Sequence, residues 1–311
     1  MSPLPSSPPL AREASSQRLE DVAARLSAGP WTYAVGGESC AEPAAAAVVA
    51  LAARGSWDEA RRAALWLASL QASDGSVGVS ASAPEPHWPT AWAIVAWQAL
   101  RLAPDPSLSA FLHQPIERAV AWLLAAGGKT ADRSPAMGHD ASLQGWSWAV
   151  GTHSWLEPTC YGVVALRCCG LAGHPRAREG VQLVLDRLLP QGGANYGNTL
   201  VLGNTLLPHV PTTGLALLAL AGNRLQDPRI EASLGLLEQR LGPETTAMSL
   251  SFALLGLTAW NRRPADAGAW IAHRLQATDV ASSPFQQALL LLAASPPEAQ
   301  SRVLGFAPSA V

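Results

Sequence analysis

The chain has 311 residues, 49% of them hydrophobic and only 14% charged, so a sizeable buried core is assured. Its net charge is -2 with no run of like charges. That excludes nucleic acid as a main partner, because phosphate binding needs a basic surface. No apolar stretch of membrane-spanning length is free of Pro, Gly or charge, so no transmembrane helix is expected.

The start, MSPLPSSPPLAREASS, has no apolar segment and no positive cluster, so it does not read as a signal peptide. Its Pro and Ser content predicts a disordered tail over residues 1–16. From there the chain alternates two kinds of helix. Amphipathic helices are predicted over 17–27, 58–72, 115–126, 176–189, 228–240 and 266–276. In WDEARRAALWLASLQ, for example, Ala60, Ala63, Ala64, Leu67 and Leu70 form one stripe, with Asp58, Glu59, Arg61 and Arg62 opposite.

Between these lie segments of a different plan: a glycine-rich aromatic turn, a loop, a proline, then a helix apolar nearly all round. They span residues 29–55 (with Pro43), 74–100 (Pro89), 144–170 (Pro158) and 191–222 (Pro211). Residues 242–260 and 282–294 keep the helix and shorten the loop. Proline suits the first turn of a helix, where its missing N–H costs nothing. In three of these segments Thr90, Thr159 or Thr212 follows the proline. Helices without a polar face are buried on all sides. Six buried and six amphipathic helices therefore predict an all-α domain over 17–305: an (α/α)6 toroid, with inner and outer layers around a central cavity. An open solenoid is the competing geometry. In a ring the inner helices run the same way, so their N-termini and long loops gather at one mouth.

The cysteines are Cys40, Cys160, Cys168 and Cys169, with no CxxC spacing and an adjacent pair. Reduced thiols in a cytoplasmic protein are the simplest reading. Cys168 and Cys169 are expected as small buried hydrophobes.

Residues 69–79, SLQASDGSVGV, resemble the QW repeat of squalene–hopene-type cyclases, with Gln71, Asp74 and Gly75 in register and Val77 where the Trp is expected. HWPTAWAIVAWQAL is similar to the inner helix that follows such a repeat. QGGANYGN, residues 191–198, resembles a Gly-Gly-x-Asn-Tyr-Gly-Asn signature of bacterial squalene-cyclase-like proteins. The resemblance, to the terpenoid cyclase and protein prenyltransferase α/α-toroid superfamily, covers about residues 25–300. It implies the toroid fold and the binding, with or without cyclisation or other transformation, of an isoprenoid or similar apolar ligand in the central cavity. The DxDD motif of class II cyclases, the DDxxD motif of class I cyclases and the D-x-C of the zinc prenyltransferases are all missing here. No metal and no cofactor are therefore expected.

Candidate site residues cluster before the inner helices. Glu42 and Glu157 precede Pro43 and Pro158, where they serve either as acid and base or as helix caps. His87 and His209 occupy similar places, and His153 lies in a loop; each is a general acid, a metal ligand beside Cys40 and Cys160, or a loop-to-loop hydrogen-bonding group. Tyr33, Trp88, Trp146, Trp148, Trp155 and Tyr196 are candidates to line a ligand site, since aromatic walls suit isoprenoid chains; equally, they staple inner to outer helices. Trp66, Trp92, Trp97 and Trp122, inside helices, are assigned to packing, and Asp74 to loop structure. Glu157, between Trp155 and Pro158, is the acid of choice. The leading expectation is binding, with or without transformation, of an isoprenoid. The alternative is a non-catalytic module that recognises a protein or peptide at the mouth.

Overall fold

The computed structural model describes residues 9–134 and 137–307. Its order is α1 (Pro9–Ala28), α2 (Ala41–Ala53), α3 (Trp57–Ser69), α4 (Thr90–Leu100), α5 (Pro106–Ala125), α6 (Leu156–Cys168), α7 (Pro175–Asp186), β1 (Leu200–Val201), β2 (Asn204–Thr205), α8 (Val210–Leu220), α9 (Pro228–Arg240), α10 (Ala247–Ala259), α11 (Ala267–Arg274), α12 (Thr278–Ala281), α13 (Pro284–Ala294) and α14 (Pro297–Leu304). The all-helical expectation stands, apart from the two-residue hairpin of β1 and β2.

The helices predicted to be apolar all round are α2, α4, α6, α8, α10 and α13, and nearly all of their residues are buried. Each packs on the next in that order, and α13 packs on α2. The amphipathic helices lie outside them: α3 covers α2 and α4, α7 covers α6 and α8, and α1 covers α13 and α2. Small residues set the spacing. A Cβ on Gly214 of α8 would lie 2.4 Å from the Phe252 carbonyl oxygen of α10, and one on Gly256 of α10 would lie 2.4 Å from that of Gly214. The two backbones touch, which glycine alone permits.

Three differences from the sequence reading have local causes. The expected tail over 1–16 lies partly outside the described residues, but from Pro9 the chain is helix. Pro9 suits a helix start, and the Leu, Ala, Arg and Glu that follow are strong helix formers. Helix α5 begins nine residues before the predicted 115, because the Asp105 carboxylate accepts the Ser107 and Leu108 N–H groups and starts the helix at Pro106. Pro115 is then tolerated inside it, and its carbonyl accepts from Gln71 Nε2 at 2.8 Å. Finally, α14 was not foreseen. It packs on α2, α4, α6 and α10, and the buried Arg167 guanidinium, at the C-terminal end of α6, donates to the Leu304 carbonyl and to those of Leu218, Ala219 and Ala221. Carbonyls at helix ends need such donors.

At the other end, in three repeats, one hydroxyl ties the loop to the apolar helix that follows it. Thr90 Oγ1 accepts from Val77 N–H and donates to the His87 carbonyl. Thr159 Oγ1 accepts from Trp146 N–H and donates to the Trp155 carbonyl. In the fourth repeat this place belongs to Thr213, which accepts from Ala194 N–H and donates to the His209 carbonyl. Thr212, the residue in register with the others by sequence, bonds Glu157 instead. A buried N–H left without its acceptor costs about 1–3 kcal/mol. Thr159→Val and Thr213→Val should therefore each destabilise by about that much, and Thr212→Val by about 1 kcal/mol or less. Urea denaturation checks the order; a larger loss for Thr212→Val would contradict it.

Candidate functional site

The loops before the inner helices bond to one another as well. Ala41 N–H donates to the Val79 carbonyl, Leu156 N–H to that of Tyr196, and Phe285 N–H to that of Thr32. Ser283 Oγ donates to the Tyr33 carbonyl at 2.6 Å, joining the first loop to the last inner helix. The N-terminal turns of the inner helices and their loops thus form one continuous end of the molecule.

The two glutamates meet there. Glu42, in the first turn of α2, is 8% exposed and accepts the Tyr33 hydroxyl at 2.6 Å. Glu157, in the first turn of α6, is half-buried and accepts from Thr212 Oγ1 at 3.1 Å. Their partners come from other elements, so the carboxyl groups link elements rather than cap their own helices. Burial pushes Glu42 up to about 7; the Tyr33 hydrogen bond opposes this and the Glu157 charge adds to it. Burial also raises Glu157, against the Thr212 hydrogen bond. At both positions desolvation outweighs the opposing hydrogen bond. Tyr33 is raised by burial and by Glu42, and stays the donor.

Tyr161 feels both carboxylates and belongs to an aromatic cluster. Burial, then Glu42 and Glu157, hold its hydroxyl well above the usual range. Its ring is 5.3 Å from Trp92 and 6.2 Å from both Trp88 and Trp148, which meet edge to face at 4.9 Å. Trp88 and Trp148 also form one side of a cleft of about 330 Å³, together with His87, Trp122, Trp146 and Pro158. Trp122 faces His87 at 5.8 Å.

Trp146 contributes an edge to this cleft but is 4% exposed. Its Nε1 donates to the Leu123 carbonyl, Arg176 lies 4.6 Å over its ring, and a Cβ on Gly162 would come within 2.7 Å of it. Trp31 repeats the design, donating to the Leu26 carbonyl with Arg62 at 5.8 Å. Both tryptophans are staples between layers.

The remaining candidates sit apart. Trp155 lines a second cleft of about 250 Å³ with Lys129, His139, His153 and Arg187. Tyr196 is exposed and packs on the His209 ring at 4.9 Å. Of the four residues, Glu42 feels the Glu157 charge, His87 packs against Trp122, and His209 packs against Tyr196. Among the described residues no three His, Cys, Asp or Glu side chains group as metal ligands. Asp74 accepts from the N–H and hydroxyl of Ser76, a loop-forming turn. Cys169 accepts from Gln98 and Cys168 lies against the Val303 carbonyl, and burial raises both thiols.

The space between α4, α6, α8 and α14 holds the main surprise. It amounts to about 10 Å³, lined by Trp92, Tyr161, Leu215 and Leu304 among others. A space of about 10–15 Å³ on this measure holds a single water, so it takes one water at most. Between these helices there is no room for a ligand, and the tryptophan cleft is the wider space. Sequence reasoning assigned Trp92 and Trp122 to packing and passed over Tyr161. The signal was present: Tyr161 follows Glu157 by four residues and Trp92 follows Trp88 by four, which places each pair on one helix face.

No protein-family model matches the chain, and no curated protein matches it.

The raised Glu42 pKa has a stability consequence. The folded state holds that proton more tightly than the unfolded state does, so stability falls as pH rises from the ordinary 4.5 through about 7 and is level above. The penalty at pH 8 is on the order of 3 kcal/mol. Glu42→Gln keeps an acceptor for Tyr33 and should remove this slope, raising stability at pH 8 and leaving it little changed below pH 4.5. Denaturation across that range is the check; a variant less stable than wild type at pH 8 would contradict the assignment.

Proposed function

We propose that the alternating helices form a closed (α/α)6 toroid and that the protein binds an isoprenoid or similar apolar ligand at the mouth of that ring. The packing of α13 on α2 and the Ser283–Tyr33 hydrogen bond support closure over an open solenoid. The observation that carries the ligand reading is the tryptophan cleft. Its volume of about 330 Å³ lies within the range of small-molecule sites, and its walls offer ring faces rather than charges. With no room between α4, α6, α8 and α14, the ligand is restricted to the cleft.

A second reading adds proton transfer, and a specific observation favours it: a buried carboxyl group with a pKa of about 7, bonded by the Tyr33 hydroxyl and within electrostatic reach of Tyr161. Glu42 is the acid in this reading. The sequence pointed to Glu157, but Glu157 is less buried and its neighbour Trp155 lines the other cleft.

Titration with farnesol, followed by tryptophan fluorescence, tests the binding. Trp148→Ala should weaken it at least tenfold, while Trp155→Ala should leave it nearly unchanged. Absence of binding, or equal effects of the two variants, would overturn the assignment to this cleft. Incubation with farnesyl, geranylgeranyl and squalene-type substrates, read by mass spectrometry, tests the acid. Turnover abolished by Glu42→Gln with binding intact supports it; binding with no product rejects the second reading and leaves the first.

A further inference from the structure

The chain has a single lysine, Lys129, and it lines the second cleft, of about 250 Å³. Its backbone is fixed. Lys129 N–H donates to the Thr152 carbonyl at 2.8 Å, and Gly128 N–H donates to that of Gly145 at 3.0 Å. A Cβ on Gly128 would lie 2.4 Å from the Ser154 nitrogen, so glycine lets the two loops close on each other. A parallel bridge pairs Lys129 with His153, which sets both side chains on one face of the pair. Both residues are exposed.

Charge in this cleft is unbalanced. Arg187 is 5% exposed; its Nη1 donates to the Gly197 carbonyl at 2.8 Å, and its Nε lies 3.4 Å from Asp186 Oδ2. The protein itself thus occupies this guanidinium. Burial, then the Arg187 charge, hold His139 below the ordinary histidine range, so it adds no charge at neutral pH. Asp140 faces Arg133 at 3.9 Å. No Asp or Glu lines the cleft, and among the described residues no carboxylate pairs with Lys129. One fixed positive charge is left over, with the His153 ring beside it. A single charge suits a monoanion; a phosphate monoester carries nearly two negative charges and would leave one without a partner.

The rest of the wall is apolar, formed by Trp155, Leu143 and Met137 among others. An exposed ion pair contributes little by itself. Affinity therefore requires an anion that also lays an apolar body on the Trp155 ring. The volume falls just under the range of drug-sized ligand sites, about 300–1,000 Å³, so the occupant is small.

We propose that this cleft binds a small carboxylic acid as its anion, with the carboxylate on Lys129 and an aromatic or branched apolar body against Trp155. The site is separate from the tryptophan cleft and does not rest on the isoprenoid reading.

Phenylacetate is the probe. Because Lys129 is the only lysine, its acetylation by a succinimidyl ester at pH 8, read by peptide mass spectrometry, reports on this site alone. Phenylacetate should slow that acetylation, with half-protection at a concentration at least tenfold below that of acetate, inorganic phosphate or phenylacetamide. Calorimetric titration with phenylacetate gives the affinity directly. Lys129→Met, at an exposed position, should fold as wild type does and bind at least tenfold more weakly, and Trp155→Leu should weaken binding at least fivefold. Farnesol binding should be the same in wild type and in Lys129→Met, which separates this test from that of the tryptophan cleft. No protection by phenylacetate would overturn the proposal. So would equal protection by phosphate, which marks a bare anion site, or by phenylacetamide, which marks an apolar cleft indifferent to the lysine. Lys129→Met that binds phenylacetate as tightly as wild type would overturn it too.

Discussion

The structure at the mouth depends on a threonine hydroxyl buried in the first turn of an inner helix. In three repeats that hydroxyl receives an N–H from the glycine-aromatic turn and passes its own proton to a carbonyl just before the helix. The loop is thereby folded back over the N-terminus it precedes, and the buried N–H of the turn has its acceptor. Because the same device recurs, loops far apart in sequence collect at one end, leaving the other end to α14 and the arginines that satisfy helix carbonyls.

That arrangement creates an electrostatic conflict at the mouth. Helix N-termini invite negative charge, and Glu42 and Glu157 stand in first turns. The loops that bring them there also bury them, and burial outweighs the opposing hydrogen bond at both. This end of the molecule therefore holds one carboxyl group raised by burial to about 7 and a second raised in the same direction. Thr212 is freed for Glu157 because Thr213 takes the structural role in its repeat.

Much of the fold was legible because its period is physical. Helices without a polar face had to be buried, and α2, α4, α6, α8, α10 and α13 are. The exceptions were decided by single contacts that a pattern does not carry. Asp105 starts α5 early despite Pro115, and α14 packs on α2, α4, α6 and α10 while the Arg167 side chain reaches it from α6. The site was half legible. Position before an inner helix identified Glu42, Glu157, Trp88 and Trp148, but the same rule also gathered Trp155, Tyr196 and His209, whose side chains turn to a different cleft or to each other. Sequence gives the end of the molecule on which a loop residue lies and leaves its direction to the loop's own hydrogen bonds. Apolar helices also say nothing about how far their side chains fill the space between them; between α4, α6, α8 and α14, Trp92, Tyr161 and Leu304 leave about 10 Å³.

The central claim is that ligand binds at the mouth and not within the ring. A crystal structure of the protein soaked with farnesol tests it most directly. The account predicts density between Trp88 and Trp148, with Tyr161 and Trp92 unmoved behind it. Density between α4, α6 and α8, with Trp92 and Tyr161 displaced to admit it, would contradict the account.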